Sequence, residues 1–125
     1  MKIFRPLWRD GAFLVPQQFQ QQARWDAHVA DTVSRMALAH PWGVLRAEFD
    51  ASALTLSRLN ATRLIVRFAD GTLIDTELAD TLPPVRDVSG VMLDSVEVVL
   101  ALPLLSASGG NLDDGQESAR PRRWR

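Results

Sequence analysis

At 125 residues the chain fits a single domain, long enough for one core and too short for two. Hydrophobic residues at 46% and charged residues at 23% match an ordinary soluble globular composition, and a net charge of −1 excludes any whole-chain electrostatic case for nucleic acid or an anionic membrane. The absence of cysteine removes disulfide scaffolds, thiol nucleophiles and thiolate metal sites, and it fits a reducing compartment.

The first ten residues place Arg5, Arg9 and Asp10 where a signal peptide needs an apolar run. The longest apolar stretch, residues 96–105, contains Glu97 and Pro103 and falls short of the roughly 18 residues of a membrane span. A cytoplasmic address without membrane insertion is the expectation. Residues 1–15 read as an extended arm anchored by Trp8, Phe13, Leu14 and Val15. Pro16 suits the first turn of a helix, where its missing N–H is not needed.

Residues 17–39 contain no glycine or proline. Phe19, Ala23, Ala27, Ala30, Val33 and Ala37 recur at spacings of three and four, and Trp25, Val29 and Met36 widen the stripe. That periodicity predicts an amphipathic helix over residues 16–39, about 35 Å long. His40-Pro41 ends it, because the residue before proline is pushed out of the α region.

Beyond Pro41 the period becomes two. Leu45, Ala47 and Phe49 alternate with Arg46, Glu48 and Asp50, which predicts a half-buried strand. Leu54 and Leu56 suggest a short strand, and Leu64, Val66 and Phe68 alternate with Arg63 and Arg67. Asp70-Gly71 predicts a two-residue hairpin turn with positive φ at both positions. The return strand carries Leu73, Asp75 and Glu77 on one face and Ile74, Thr76 and Leu78 on the other. Leu82-Pro83-Pro84 interrupts the pattern, and residues 96–102 read as a central strand buried on both faces and closed by Pro103. From Ser106 the composition turns to Ser, Gly, Asn and Asp, a solvated loop, before Arg120-Pro121-Arg122-Arg123-Trp124-Arg125.

Catalytic chemistry has few footholds. His28 and His40 are twelve positions apart and cannot form the i, i+4 metal pair of a helix. No nucleophile elbow, P-loop or dinucleotide-binding turn is present. Asp75 and Glu77 share a strand face, where Arg63 and Arg67 can balance them. Asn111, Asp113, Asp114 and Glu117 miss the spacing of a calcium loop. The expectation is therefore no enzyme, no catalytic residue, no metal and no cofactor. The unusual feature is Gln17-Gln18-Phe19-Gln20-Gln21-Gln22, five neutral amides where a solvated face normally uses charge. They suit either plain helix propensity or a surface that hydrogen-bonds to a partner.

The same stretch carries a resemblance. Trp8-Arg9-Asp10-Gly11-Ala12-Phe13-Leu14-Val15-Pro16-Gln17-Gln18-Phe19-Gln20-Gln21-Gln22 resembles the opening signature of the TssK family, baseplate wedge subunits of bacterial type VI secretion. Pro41-Trp42-Gly43, Phe68-Ala69-Asp70-Gly71-Thr72-Leu73, Leu82-Pro83-Pro84 and Leu100-Ala101-Leu102-Pro103-Leu104 follow in the family's order. Gln18 stands where the family has histidine, and Ala12 where it has a larger apolar residue.

The resemblance implies a structural role and a mainly β, antiparallel, sandwich-like shoulder domain with one long N-terminal α-helix. It implies docking onto the wedge subunits TssF and TssG, and homotrimers in the full-length protein. A C-terminal head, reaching TssL and TssM of the membrane complex, follows the shoulder in that family. Residues 1–105 would be the shoulder (arm 1–15, helix 16–39, β region 42–105), and residues 106–125 a flexible loop and cut connection to a neck and head. Candidate partner-binding residues are Phe13, Leu14, Gln17, Gln18, Gln20 and Gln21. Trp8, Gly11, Pro16, Phe19, Trp42, Gly43, Asp70, Gly71 and Pro103 are the expected structural positions, with Trp8, Phe13 and Phe19 packing the arm onto helix and sheet. The competing reading is a small-ligand, carbohydrate-type β module, which would present aromatic residues on a strand face.

Overall fold

The computed structural model describes residues 2–91 and 94–106. Its elements are α1 (Pro16–Ala37), β1 (Gly43–Phe49), α2 (Ala51–Thr55), β2 (Arg58–Leu59), β3 (Ala61–Arg67), β4 (Leu73–Asp75) and β5 (Arg86–Asp87). Two antiparallel sheets result, one ordered β1-β3-β4 and the other β2-β5. β2 and β3 are nearly one strand: it changes sheets at Asn60, whose carbonyl accepts from the Asp50 amide at 2.9 Å. Mainly β with one long N-terminal helix is the architecture that the alternating pattern predicts.

The chain divides into two compact units, Lys2–Met92 and a second that begins at Leu93. In the first, the middle strand β3 supplies the core: Ala61, Leu64 and Val66 are buried, with Pro41 beside them in the burial pattern. Leu64 and Val66 sit opposite Ala47 and Val44 of β1, and Val66 also opposite Ile74 of β4. Register shifts between Val44 and Arg46, and between Glu48 and Phe49, bulge this pairing and break the simple alternation expected for β1. Every residue of β1 after Gly43 is exposed.

Helix α1 stops at Ala37, two residues before the expected end, because Leu38 is already extended (φ −130°, ψ 134°). Pro16 occupies its first turn, after the N-cap Val15. The amphipathic expectation fails in an informative way: α1 holds no buried residue. The half-buried positions are Gln18, Gln21, Gln22, Trp25, Asp31 and Ser34, while the apolar stripe, with Phe19 and Val33, stays exposed. The helix meets the sheet through polar groups.

Four local expectations are corrected. The segment with Leu54 and Leu56 is a helical turn, because the Asp50 carboxylate caps the amides of Ser52 (2.9 Å) and Ala53 (3.3 Å). The hydrogen bond from the Ser52 hydroxyl, joined by those from the Ala53 and Ser52 amides, holds the Asp50 carboxyl below its usual value. The hairpin loop has three residues rather than two. Gly71 N donates to Phe68 O (2.9 Å) and Phe68 N to Thr72 O (2.8 Å), and Gly71 alone has positive φ, at 89°. This is a turn followed by a left-handed bulge residue, the next commonest hairpin form. β4 ends at Asp75 because the Thr76 hydroxyl takes the next ladder position, accepting from Leu64 N at 2.9 Å. Residues 96–102 form no strand; Val96, Val98, Val99 and Leu100 are 42–75% exposed, and an apolar run without a ladder partner is not held as a strand. The expected loop of residues 106–119 and the tail of residues 120–125 lie, all but Ser106, outside the described residues.

Two outcomes follow from the turns. Gly71→Val forces a β-carbon into the left-handed region and 3.1 Å from Asp31 Oδ1, and is expected to lower stability by about 2 kcal/mol. Asp70→Asn should be nearly silent, because an asparagine oxygen can still accept from Thr72 N. Urea melts of both variants check this, and equal effects would contradict the loop geometry. Ser57, which ends α2, has φ 56° without being glycine. Ser57→Gly should raise stability by about 0.5–1 kcal/mol, and a fall would contradict the strained cap.

Candidate partner-binding surface

The arm runs beside the first half of α1 and is tied to it by glutamines. Phe4 N donates to Gln21 Oε1 (3.2 Å), Trp8 Nε1 to Gln22 Oε1 (3.4 Å) and Val15 N to Gln18 Oε1 (3.3 Å). Gln22 also donates to Asp26 at 2.9 Å. The amide cluster therefore splits. Gln18, Gln21 and Gln22 serve the chain's own backbone and arm, whereas the Gln17 and Gln20 side chains make no hydrogen bond among the described residues. The spacing of glutamines alone could not make this division, because it depends on the path of the arm.

Trp8 packs its ring against Phe19 with centroids 5.9 Å apart, and the Arg5 guanidinium lies 5.9 Å over the Trp25 ring. Trp8 and Phe19 remain 47% and 56% exposed, and Phe13 is 92% exposed. The expected packing of these three on helix and sheet reduces to one ring pair, with Phe13 and Leu14 bare at the arm's end. Gly11 makes the tight turn that leads there, at φ 73°, where Ala12 N donates to Arg9 O at 3.2 Å. Trp42 stacks edge-on with His40, and Gly43 opens β1 opposite Arg67. Pro103 lies in the second unit, where the described residues 94–106 form no helix or strand.

The second half of α1 is held to the sheet by a cluster that the sequence reading did not single out. Asp31 accepts from Arg35 Nε (2.7 Å) and Arg67 Nη2 (2.9 Å). Arg67 Nη1 donates to Pro41 O (2.7 Å), and Arg35 Nη2 to Ala69 O in the hairpin loop (3.0 Å). The hydrogen bond from Arg35, with the charges of Arg35, Arg67 and His28, holds the Asp31 carboxyl below its usual value. The folded state thus gains from this carboxylate at neutral pH, and loses that gain as pH falls through the lowered value. Arg67 was expected to balance Asp75 or Glu77; it pairs with the helix instead, and Arg63 takes Glu77 (2.8 Å) and Glu48 (3.7 Å). The signal available was the i, i+4 pair Asp31 and Arg35.

Two shallow grooves flank these features. One lies between arm and helix, lined by Arg5, Trp8, Gln22, Trp25 and Asp26. The other lies where the helix exit meets the sheet, lined by Leu38, Trp42, Val44, Leu45, Ile65 and Leu73. Among the described residues no three His, Asp or Glu side chains converge as metal ligands. No described helix is long and apolar enough to cross a membrane. What the arrangement exposes is apolar and amide surface.

Comparison with known proteins gives that surface a context. Residues 18–125 match the family model T6SS_VasE, described as bacterial type VI secretion, VC_A0110, EvfL, ImpJ, VasE. The chain is 33% identical over 100 residues to the type VI secretion system baseplate component TssK1 of Pseudomonas aeruginosa, covering 80% of this chain and 22% of that protein. It is 75% identical to a chain of the TssK–TssF–TssG baseplate subcomplex solved by cryo-electron microscopy, with a TM-score of 0.91 over 99% of this chain and 42% of that one. It is 73% identical to TssK from the EAEC type VI system in complex with a nanobody, with a TM-score of 0.74 over 85% of this chain and 26% of that one. The chain thus spans less than half the length of each of these relatives. Its fold, its opening signature and the family match agree, and the chain belongs to the TssK family of bacterial type VI secretion proteins.

Proposed function

We propose that this chain is a structural part of a type VI secretion baseplate and docks onto the wedge subunits TssF and TssG. The observation that carries the reading is the first two turns of α1. There Gln17 and Gln20 have no hydrogen-bonding partner among the described residues, and Phe13, Leu14 and Phe19 of the same stretch are exposed. Exposed apolar groups next to neutral amides suit an interface that excludes water and then satisfies its polar atoms. The naming of TssF and TssG beside TssK in a solved relative supports the choice of partner. In the full-length protein, at the cytoplasmic face of the inner membrane, the same family reading extends to a homotrimer whose head reaches TssL and TssM. The role is scaffolding rather than catalysis.

The carbohydrate-module reading is less well supported. The Trp25 ring already carries the Arg5 guanidinium, where a sugar would need a bare aromatic face. The docking surface is tested with Gln17→Glu, Gln20→Glu in one chain. Glutamate is as good a helix former, so the melting temperature should hold. Burying two unpaired charges should weaken binding to a TssF–TssG complex by about tenfold or more, read by calorimetry. Unchanged binding by the folded variant would remove this surface from consideration.

A further inference from the structure

Helix α1 sits on the sheet without a core. None of its 22 residues is buried, so burial of apolar surface does not set its angle. What crosses from the helix to the sheet is one guanidinium and its neighbours. Arg67 lies on the middle strand, and its three nitrogens each reach a different segment. Nη2 donates to Asp31 of α1 (2.9 Å), Nη1 to the carbonyl of buried Pro41 (2.7 Å), and Nε to Gly71 O in the hairpin loop (3.5 Å). Arg35 completes the link by bonding both Asp31 and Ala69 O.

This is not an ordinary surface ion pair. The side chains of Arg67 and Asp31 are 22% and 27% exposed, against 36–51% for those of Arg46, Glu48, Arg63 and Glu77. The hairpin is fitted to it as well, since a β-carbon at Gly71 would lie 3.1 Å from Asp31 Oδ1. A planar fork that bonds helix, connection and loop at once fixes direction as well as distance, which a lysine cannot do.

The lever is long. Gln17 lies fourteen residues before Asp31, about 21 Å along the axis, and the helical repeat puts Gln17, Gln20, Asp31 and Arg35 on one side of α1. A swing of about 20° at Asp31 would carry Gln17 through about 7 Å. We propose that Arg67 is the positioning residue of α1: it holds the helix at the angle its partner reads, and it does so without touching the partner. The proposal rests on the docking surface described above, deepening it from which residues bind to what aims them.

The test uses the full chain, whose lack of cysteine allows labels to be placed freely. Spin labels at Ala23→Cys and Thr62→Cys, both exposed positions, report the helix-to-sheet distance by pulsed electron resonance. Arg67→Met should broaden a narrow distance distribution by about 4 Å, as such a swing gives at position 23, about 12 Å from Asp31. Hydrogen exchange in β3 should stay protected, and binding to a TssF–TssG complex should fall about tenfold. Arg67→Lys, keeping the charge but only one bonding nitrogen, should recover part of both losses. An unchanged distance in Arg67→Met overturns the proposal, as does loss of β3 protection, which would make Arg67 a general structural residue. A broadened distance with full binding also overturns it, provided Gln17→Glu, Gln20→Glu weakens binding as expected. If that double variant binds normally, the docking surface itself is wrong, and the label distance alone still decides whether Arg67 aims the helix.

Discussion

A single carboxylate, Asp31, joins the two halves of the larger unit. It bridges Arg35 on its own helix and Arg67 on the middle strand, at 2.7 and 2.9 Å. Through Arg67 the buried Pro41 connection is tied in, and through Arg35 the hairpin loop. The constraint is polar because apolar groups are not buried at that junction: α1 buries no residue, and among the described residues the buried apolar side chains of the sheet all lie on β3. Hydrophobic burial makes the sheet, and charge-assisted hydrogen bonds place the helix on it.

Elements with a strong internal period were legible in the sequence. The absence of glycine and proline over residues 17–37, with Pro16 ahead, specified α1, and the alternation about Leu64 and Val66 specified β3. Asp70-Gly71 marked the hairpin correctly, although the loop form depends on one more residue than the dipeptide contains. Asp50, read as the last polar position of the first strand, is a helix cap, and two leucines two apart misled where a five-residue helix sits. The run at residues 96–102 misled for a different reason: apolar composition states what a segment would gain by burial, not that a neighbour is there to bury it.

The candidate surface was legible only in outline. Sequence marked the glutamine cluster, but the arm's return along α1 decides that Gln18, Gln21 and Gln22 are occupied, while the Gln17 and Gln20 side chains make no hydrogen bond among the described residues. Phe13 shows the same limit, an apolar anchor by type that is 92% exposed in place. The polar cluster at Asp31 joins residues 36 positions apart, which no local pattern could pair. Membership of the TssK family supplies a reason for surfaces that an isolated domain would cover, because its relatives are longer chains, one of them solved within a multi-subunit baseplate complex.

On the proposed function, the sheet of the larger unit holds together by itself and the start of α1 is left for a partner. Hydrogen–deuterium exchange of the full chain, alone and with a TssF–TssG complex, separates the two regions. Alone, the β3 amides should exchange slowly, and those of the first turns of α1 quickly. With the complex, protection should rise over residues 16–22 while β3 stays as it was. Protection unchanged over residues 16–22 with the complex demonstrably bound would contradict the account.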